Sequence, residues 1–140
     1  MTRHFIALLV LVYCASAMAA DVKLALYSPS RAEQQLVARL DSSFSFTQRL
    51  DIARAFQKDY PVDAGVQIRA SDLLAIDDPA QVRSYYAERA QANPKSELDL
   101  YMAGRYAENL ADKQSVVAKI LDLNQDSYWG AVLQSTAYPV

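Results

Sequence analysis

From Arg31 onward, apolar residues recur every three or four positions, the spacing of one helix face. Leu36, Val37 and Leu40 mark a helix over about Arg31–Leu40, entered through Ser28-Pro29-Ser30. Ser45 or Thr47 opens a second helix that runs to about Asp59 and stops before Pro61. Asp63 caps a third, whose stripe is Val66, Ala70, Leu73 and Leu74. Asp78-Pro79, a cap followed by proline in the first turn, starts a fourth that ends at Asn93-Pro94. Ser96 with Asp99 has capping-box spacing and opens a fifth, expected to reach Leu110. Its apolar face reads Leu100, Ala103, Gly104, Ala107 and Leu110, small enough for a neighbouring helix to approach closely. A sixth helix is expected from about Lys113 to Asp122. Asp126 then caps a last one carrying Trp129, Val132 and Leu133 on one face.

Helices joined by such short turns pack as antiparallel neighbours. The pattern therefore predicts an all-α fold of stacked antiparallel helix pairs. Internal similarity supports a repeat. Leu50-Asp51-Ile52 returns as Leu98-Asp99-Leu100, and Leu73 to Asp77 returns as Ile120 to Asn124. Ala92-Asn93-Pro94 returns as Ala137-Tyr138-Pro139. The three offsets are 48, 47 and 45 residues.

The first 20 residues break the helix-pair pattern. Arg3 is followed by an uninterrupted apolar run, Phe5 to Tyr13, and then by Ala15-Ser16-Ala17-Met18-Ala19-Ala20. This is the layout of a secretory signal peptide, with cleavage after Ala19 or Ala20. Only 16 residues separate His4 from Asp21, fewer than the roughly 20 of a spanning helix. Lipidation at Cys14 is disfavoured because Tyr13 stands where a lipoprotein signal has a small residue. The expected organisation is a leader over 1–20 and one helical-repeat domain over 21–140. The expected location is the periplasm or the cell exterior. Val22 to Tyr27 alternates weakly and fits either a short strand or an ordered arm.

Composition narrows the chemistry. The single histidine and the single cysteine, His4 and Cys14, both fall in the leader. A mature chain without them has no Ser-His-Asp triad, Cys-His pair, disulfide or common zinc site. No cofactor is expected, and three scattered glycines form no phosphate-cradling loop. Removing Arg3 leaves 13 basic against 16 acidic residues, with no basic stripe for nucleic acid.

Between Leu98 and Tyr138 the chain resembles a tetratricopeptide-like helical repeat protein. Tyr101-Met102-Ala103-Gly104 is similar to the first-helix pattern of aromatic and small residues. Lys113 to Leu123, with its Leu121-Asp122-Leu123-Asn124 ending, is similar to the second helix. Asp126-Ser127-Tyr128-Trp129 is similar to the entry of the next unit. The offset of about 47 exceeds the roughly 34 residues of that repeat. The resemblance implies a helix-turn-helix array that presents a groove to peptides or proteins.

Two sets of residues are candidates for such binding. Val82, Tyr85, Tyr86 and Arg89 share one helix face. Arg89 there is either a ligand-facing guanidinium between tyrosines or an arginine that lays its stem on the core and ion-pairs at the rim. Tyr101, Arg105 and Glu108 lie opposite the small-residue face and are expected to look outward. They form either a partner surface or a solvated face with an Arg105–Glu108 pair. Asp72, Asp77 and Asp78 could serve a carboxylate enzyme or a metal only by converging on one cleft. Capping explains Asp77-Asp78-Pro79 as well. The sequence thus predicts a non-catalytic, exported module that binds a protein or peptide. Two alternatives stand beside it: the N-terminal helical module of a longer secreted protein with its activity downstream, and a carboxylate-dependent enzyme or metal binder.

Overall fold

The computed structural model describes residues 28–138. The leader, Cys14, the Val22–Tyr27 segment and Pro139 lie outside the described residues. The described residues form seven helices: α1 (Arg31–Asp41), α2 (Phe46–Asp59), α3 (Ala64–Asp77), α4 (Pro79–Ala92), α5 (Glu97–Arg105), α6 (Leu110–Leu123) and α7 (Tyr128–Ala137). Successive helices pack on each other, and α1 also packs on α3 and α5 on α7. This is the all-α, solenoid-like stack that the hydrophobic pattern predicts.

Each helix from α2 to α7 starts on a side-chain cap. Ser45, Asp63, Asp78, Ser96, Asn109 and Ser127 each accept a hydrogen bond from the backbone N–H three residues on. One orphan donor of each first turn is thereby satisfied. The turns before α3, α5 and α7 also match one another. Asp63 N–H donates to Tyr60 O, Ser96 N–H to Asn93 O, and Ser127 N–H to Asn124 O.

These starts set the true period. Odd-numbered helices begin at Arg31, Ala64, Glu97 and Tyr128, at intervals of 33, 33 and 31 residues. The helices α2, α4 and α6 begin at Phe46, Pro79 and Leu110, at intervals of 33 and 31. The offsets of 45 to 48 are therefore corrected. Leu50-Asp51-Ile52 lies on α2 but Leu98-Asp99-Leu100 on α5, and Leu73–Asp77 lies on α3 but Ile120–Leu123 on α6. Those matches pair a first helix of one hairpin with a second helix of another. Any two amphipathic helices share such a stripe, so it does not report register.

Other expectations shift locally. The fifth helix ends at Arg105, not Leu110, and the sixth begins at Leu110, not Lys113. Asn109 captures the Asp112 N–H at 2.8 Å and so restarts the helix early. Leu110 is consequently exposed rather than part of the core. Ser127, not Asp126, caps α7, and Ser45, not Thr47, caps α2.

The core runs through the stack as one cluster that includes Leu36, Val66, Ala70, Tyr86, Met102, Ile120 and Leu133. Two glycines permit its closest approaches. A Cβ on Gly104 would lie 2.4 Å from Leu133 and 3.0 Å from Val116, so α5 sits tightly between α6 and α7. A Cβ on Gly65 would lie 2.0 Å from the Glu33 carboxylate, which crosses there to ion-pair with Arg69.

Candidate partner-binding groove

A buried polar network fixes α2 to α5 before any surface is formed. Gln67 on α3 donates to Gln57 O at 2.8 Å, a carbonyl at the end of α2 left without a helix donor by Pro61, and to Tyr60 O at 2.9 Å. Its Oε1 accepts from Tyr86 Oη at 2.8 Å and from Arg89 Nη1 at 3.1 Å. Tyr86 Oη also meets Ser71 Oγ and accepts from Gln57 Nε2 at 3.1 Å. Burial pushes the Tyr86 hydroxyl up to about 12, partly opposed by its bonds to Ser71 and Gln57.

Arg89 closes this network. Nη2 donates to Pro61 O at 2.7 Å and lies 2.6 Å from Asp99 Oδ1 on α5. Nη1 reaches Tyr85 Oη at 3.3 Å, and the guanidinium lies over the Tyr85 and Tyr86 rings. Burial works against its charge. The Tyr85 hydroxyl and Asp99 outweigh that and hold its pKa above the ordinary arginine value. Sequence spacing did bring Tyr85, Tyr86 and Arg89 together. Their polar groups, however, bind this chain's own carbonyls and side chains, and the Arg89 side chain is only 16% exposed.

The second predicted set divides. Tyr101 is 3% exposed and packs on Trp129 with ring centroids 4.6 Å apart, which corrects its expected outward position. Tyr101 is covered because α7, which meets α5 at Gly104, also lays Trp129 on it. Arg105 is exposed and binds Asp72 on α3 through Nη2, at 3.0 and 2.9 Å, and donates to Tyr101 Oη at 3.3 Å. Tyr106 Oη donates to the same carboxylate at 2.7 Å. Burial first, and then Asp72, push the Tyr106 hydroxyl well above its usual range. The expected Arg105–Glu108 pair is replaced, since Glu108 pairs with Arg83 at 3.2 Å. Glu108 sits on the turn after α5 and is free to reach α4.

The carboxylates do not converge. Asp72 binds Arg105, Asp77 binds Arg54 at 3.4 Å, and Asp78 caps α4. No group of three or more metal-ligating side chains forms among the described residues. No helix among them is long and apolar enough to cross a membrane.

One open feature among the described residues is a groove of about 780 Å³ where α5 packs between α4 and α6. Arg83, Ala87, Ala90, Gln91 and Pro94 form one wall. Leu100, Ala103 and Ala107 lie beneath, and Asp112, Ser115, Val116, Lys119, Asp122 and Leu123 form the other wall. Glu108 is the one sequence-predicted site residue that lines it. Its pair with Arg83, and the Arg83 Nε bond to Tyr106 O at 3.3 Å, pin the end of the groove. A signal for this wall was available. Arg83, Ala87 and Ala90 form a second helical stripe on α4, beside the tyrosine seam, and Pro94 follows in the turn.

A scan against protein-family models finds no match, and searches of curated proteins and of solved structures find none either.

Proposed function

We propose that this chain is a non-catalytic binding module, a tetratricopeptide-like stack of helix hairpins that holds a protein or peptide in the α4–α5–α6 groove. The groove itself is the observation that carries the reading. It has an apolar floor of Leu100, Ala103 and Ala107 and a charged rim of Lys119, Asp112 and Asp122. Concave sites with an apolar lining and few polar groups are where ligands bind. The interval of 31 to 33 residues supports the family likeness, because the tetratricopeptide period is about 34. Export to the periplasm or beyond is proposed from the Met1–Ala20 leader alone.

Affinity capture from the periplasmic extract tests the binding role. Wild type should recover a partner that Ala87→Trp and Lys119→Glu each lose, with thermal melts unchanged. Equal recovery by all three proteins sinks the groove as the site. For export, amino-terminal sequencing of the mature protein should begin at Ala20 or Asp21.

A further inference from the structure

The groove over α5 has an equivalent one hairpin earlier, over α3, where α2 and α4 form the walls. Counted from the caps Ser45 and Asp78, the twelfth residue is Gln57 on α2 and Ala90 on α4. From Asp63 and Ser96, the fourth is Gln67 on α3 and Leu100 on α5, and the eleventh is Leu74 and Ala107. From Asp78 and Asn109, the seventh is Tyr85 on α4 and Val116 on α6. Over α3 the chain fills this space itself. Gln57 Nε2 donates to Ser71 Oγ and Tyr86 Oη, each at 3.1 Å, and the Tyr85 ring stands on that of Tyr86 with centroids 4.9 Å apart. Over α5 the smaller Ala90, Ala107 and Val116 line an open groove.

We propose, on the reading that this groove is the binding site, that its occupant is a peptide segment inserting a phenylalanine-like side chain where Tyr85 sits one hairpin earlier, with basic residues beside it. Shape calls for a bulky group. Ala90, Ala107 and Val116 stand where Gln57, Leu74 and Tyr85 fill the earlier space, and a ring restores the close packing that they leave open. Polarity calls for a ring without a hydroxyl. Over α3, Gln67 and Ser71 meet the Tyr86 hydroxyl. Over α5 their places are taken by Leu100 and Gly104, which offer no side-chain acceptor, so a tyrosine buried there leaves its hydroxyl unpaired. Charge supplies the flanks. Arg83 and Glu108 neutralise each other, which leaves Lys119 with Asp112 and Asp122 on the α6 wall, all three exposed. The surplus is acidic and favours basic residues next to the anchor. An aromatic anchor in a pocket with a polar rim is also how interfaces concentrate their binding energy.

Fluorescence anisotropy with three labelled peptides tests this. The first carries one phenylalanine with lysines on either side. The second has alanine in place of the phenylalanine, and the third has glutamates in place of the lysines. The first should bind, and the other two should each bind about tenfold more weakly or worse. Val116→Tyr and Ala90→Gln restore the residues of the earlier hairpin and fill the groove from within. Each should weaken the first peptide about tenfold or more, with a thermal melt at or above that of wild type. No binding of the first peptide overturns the proposal, as does equal binding of the first and either of the others. Neither result touches the groove as the site, which fails only if capture is indifferent to Ala87→Trp and Lys119→Glu. A captured partner lost on Ala87→Trp but kept by both Val116→Tyr and Ala90→Gln leaves the groove in place and removes the aromatic anchor.

Discussion

Arg89 on α4 and Asp99 on α5 lie 2.6 Å apart, Nη2 to Oδ1, with side chains only 16% and 4% exposed. The pair spans the boundary between two helix hairpins, and its arginine also holds the α2–α3 turn through Pro61 O. Removing one partner of a buried pair leaves an uncompensated charge, at a cost of about 3–5 kcal/mol. Asp99→Ala should therefore lower stability by about 3 kcal/mol in a urea titration, with Asp99→Asn milder. The double replacement Arg89→Met with Asp99→Leu should cost less than the two single changes added together. A loss below about 1 kcal/mol for Asp99→Ala would show that the pair is not structural.

Tyr86 makes stability fall in alkali. Its hydroxyl is pushed up to about 12 by burial, against an ordinary value of 10 that the unfolded chain keeps. The folded state therefore holds this proton more tightly. The resulting stabilisation is complete below about pH 10 and is lost as pH rises towards 12. Its size is about 2–3 kcal/mol. Tyr86→Phe should destabilise at pH 7 by about 1–3 kcal/mol, because Gln67 and Ser71 lose their partner. It should also flatten the decline between pH 10 and 12 seen in parallel urea titrations. An unchanged slope in that window would exclude Tyr86 as its source.

Asp78 is at once the end of α3 and the cap of α4, with no other residue between them. Its side chain accepts from Gln81 N–H at 2.9 Å. Asp78→Ala should cost about 1 kcal/mol, and Asp78→Gly only a few tenths. If both cost the same in thermal or chemical unfolding, the side-chain bond is not what holds this junction.

Much of the fold is legible in the sequence. Asp63, Asp78 and Ser96 are predicted caps and act as caps, because an N-cap works through a bond only three residues long. The helix faces followed from a local period. The repeat interval was also present in the caps, yet the apolar stripes pointed to a longer one, since stripes look alike in every helix.

The candidate site was less legible. Helical spacing placed Tyr85, Tyr86 and Arg89 on one face, but it could not say that this face meets Gln67 and Asp99. The spacing predicts Tyr101 outward, since one small-residue face suffices to pack α5 on a single neighbour. Its burial came from a further neighbour, since α7 stacks on α5 as well. The groove depends on which helices flank α5, and no local pattern encodes that.

The sequence by itself determined the caps that open α3, α4 and α5, the apolar stripe of most helices and which common chemistries a mature chain would lack, because caps, periodicity and residue inventory act over a few bonds or none. Only the tertiary structure decided that Arg89 is spent on Asp99 and Pro61, that Tyr101 is inside, and that α4, α5 and α6 leave a groove. Those outcomes depend on packing between helices far apart in the chain, where the partner of a side chain is set by the stack and not by its neighbours in sequence.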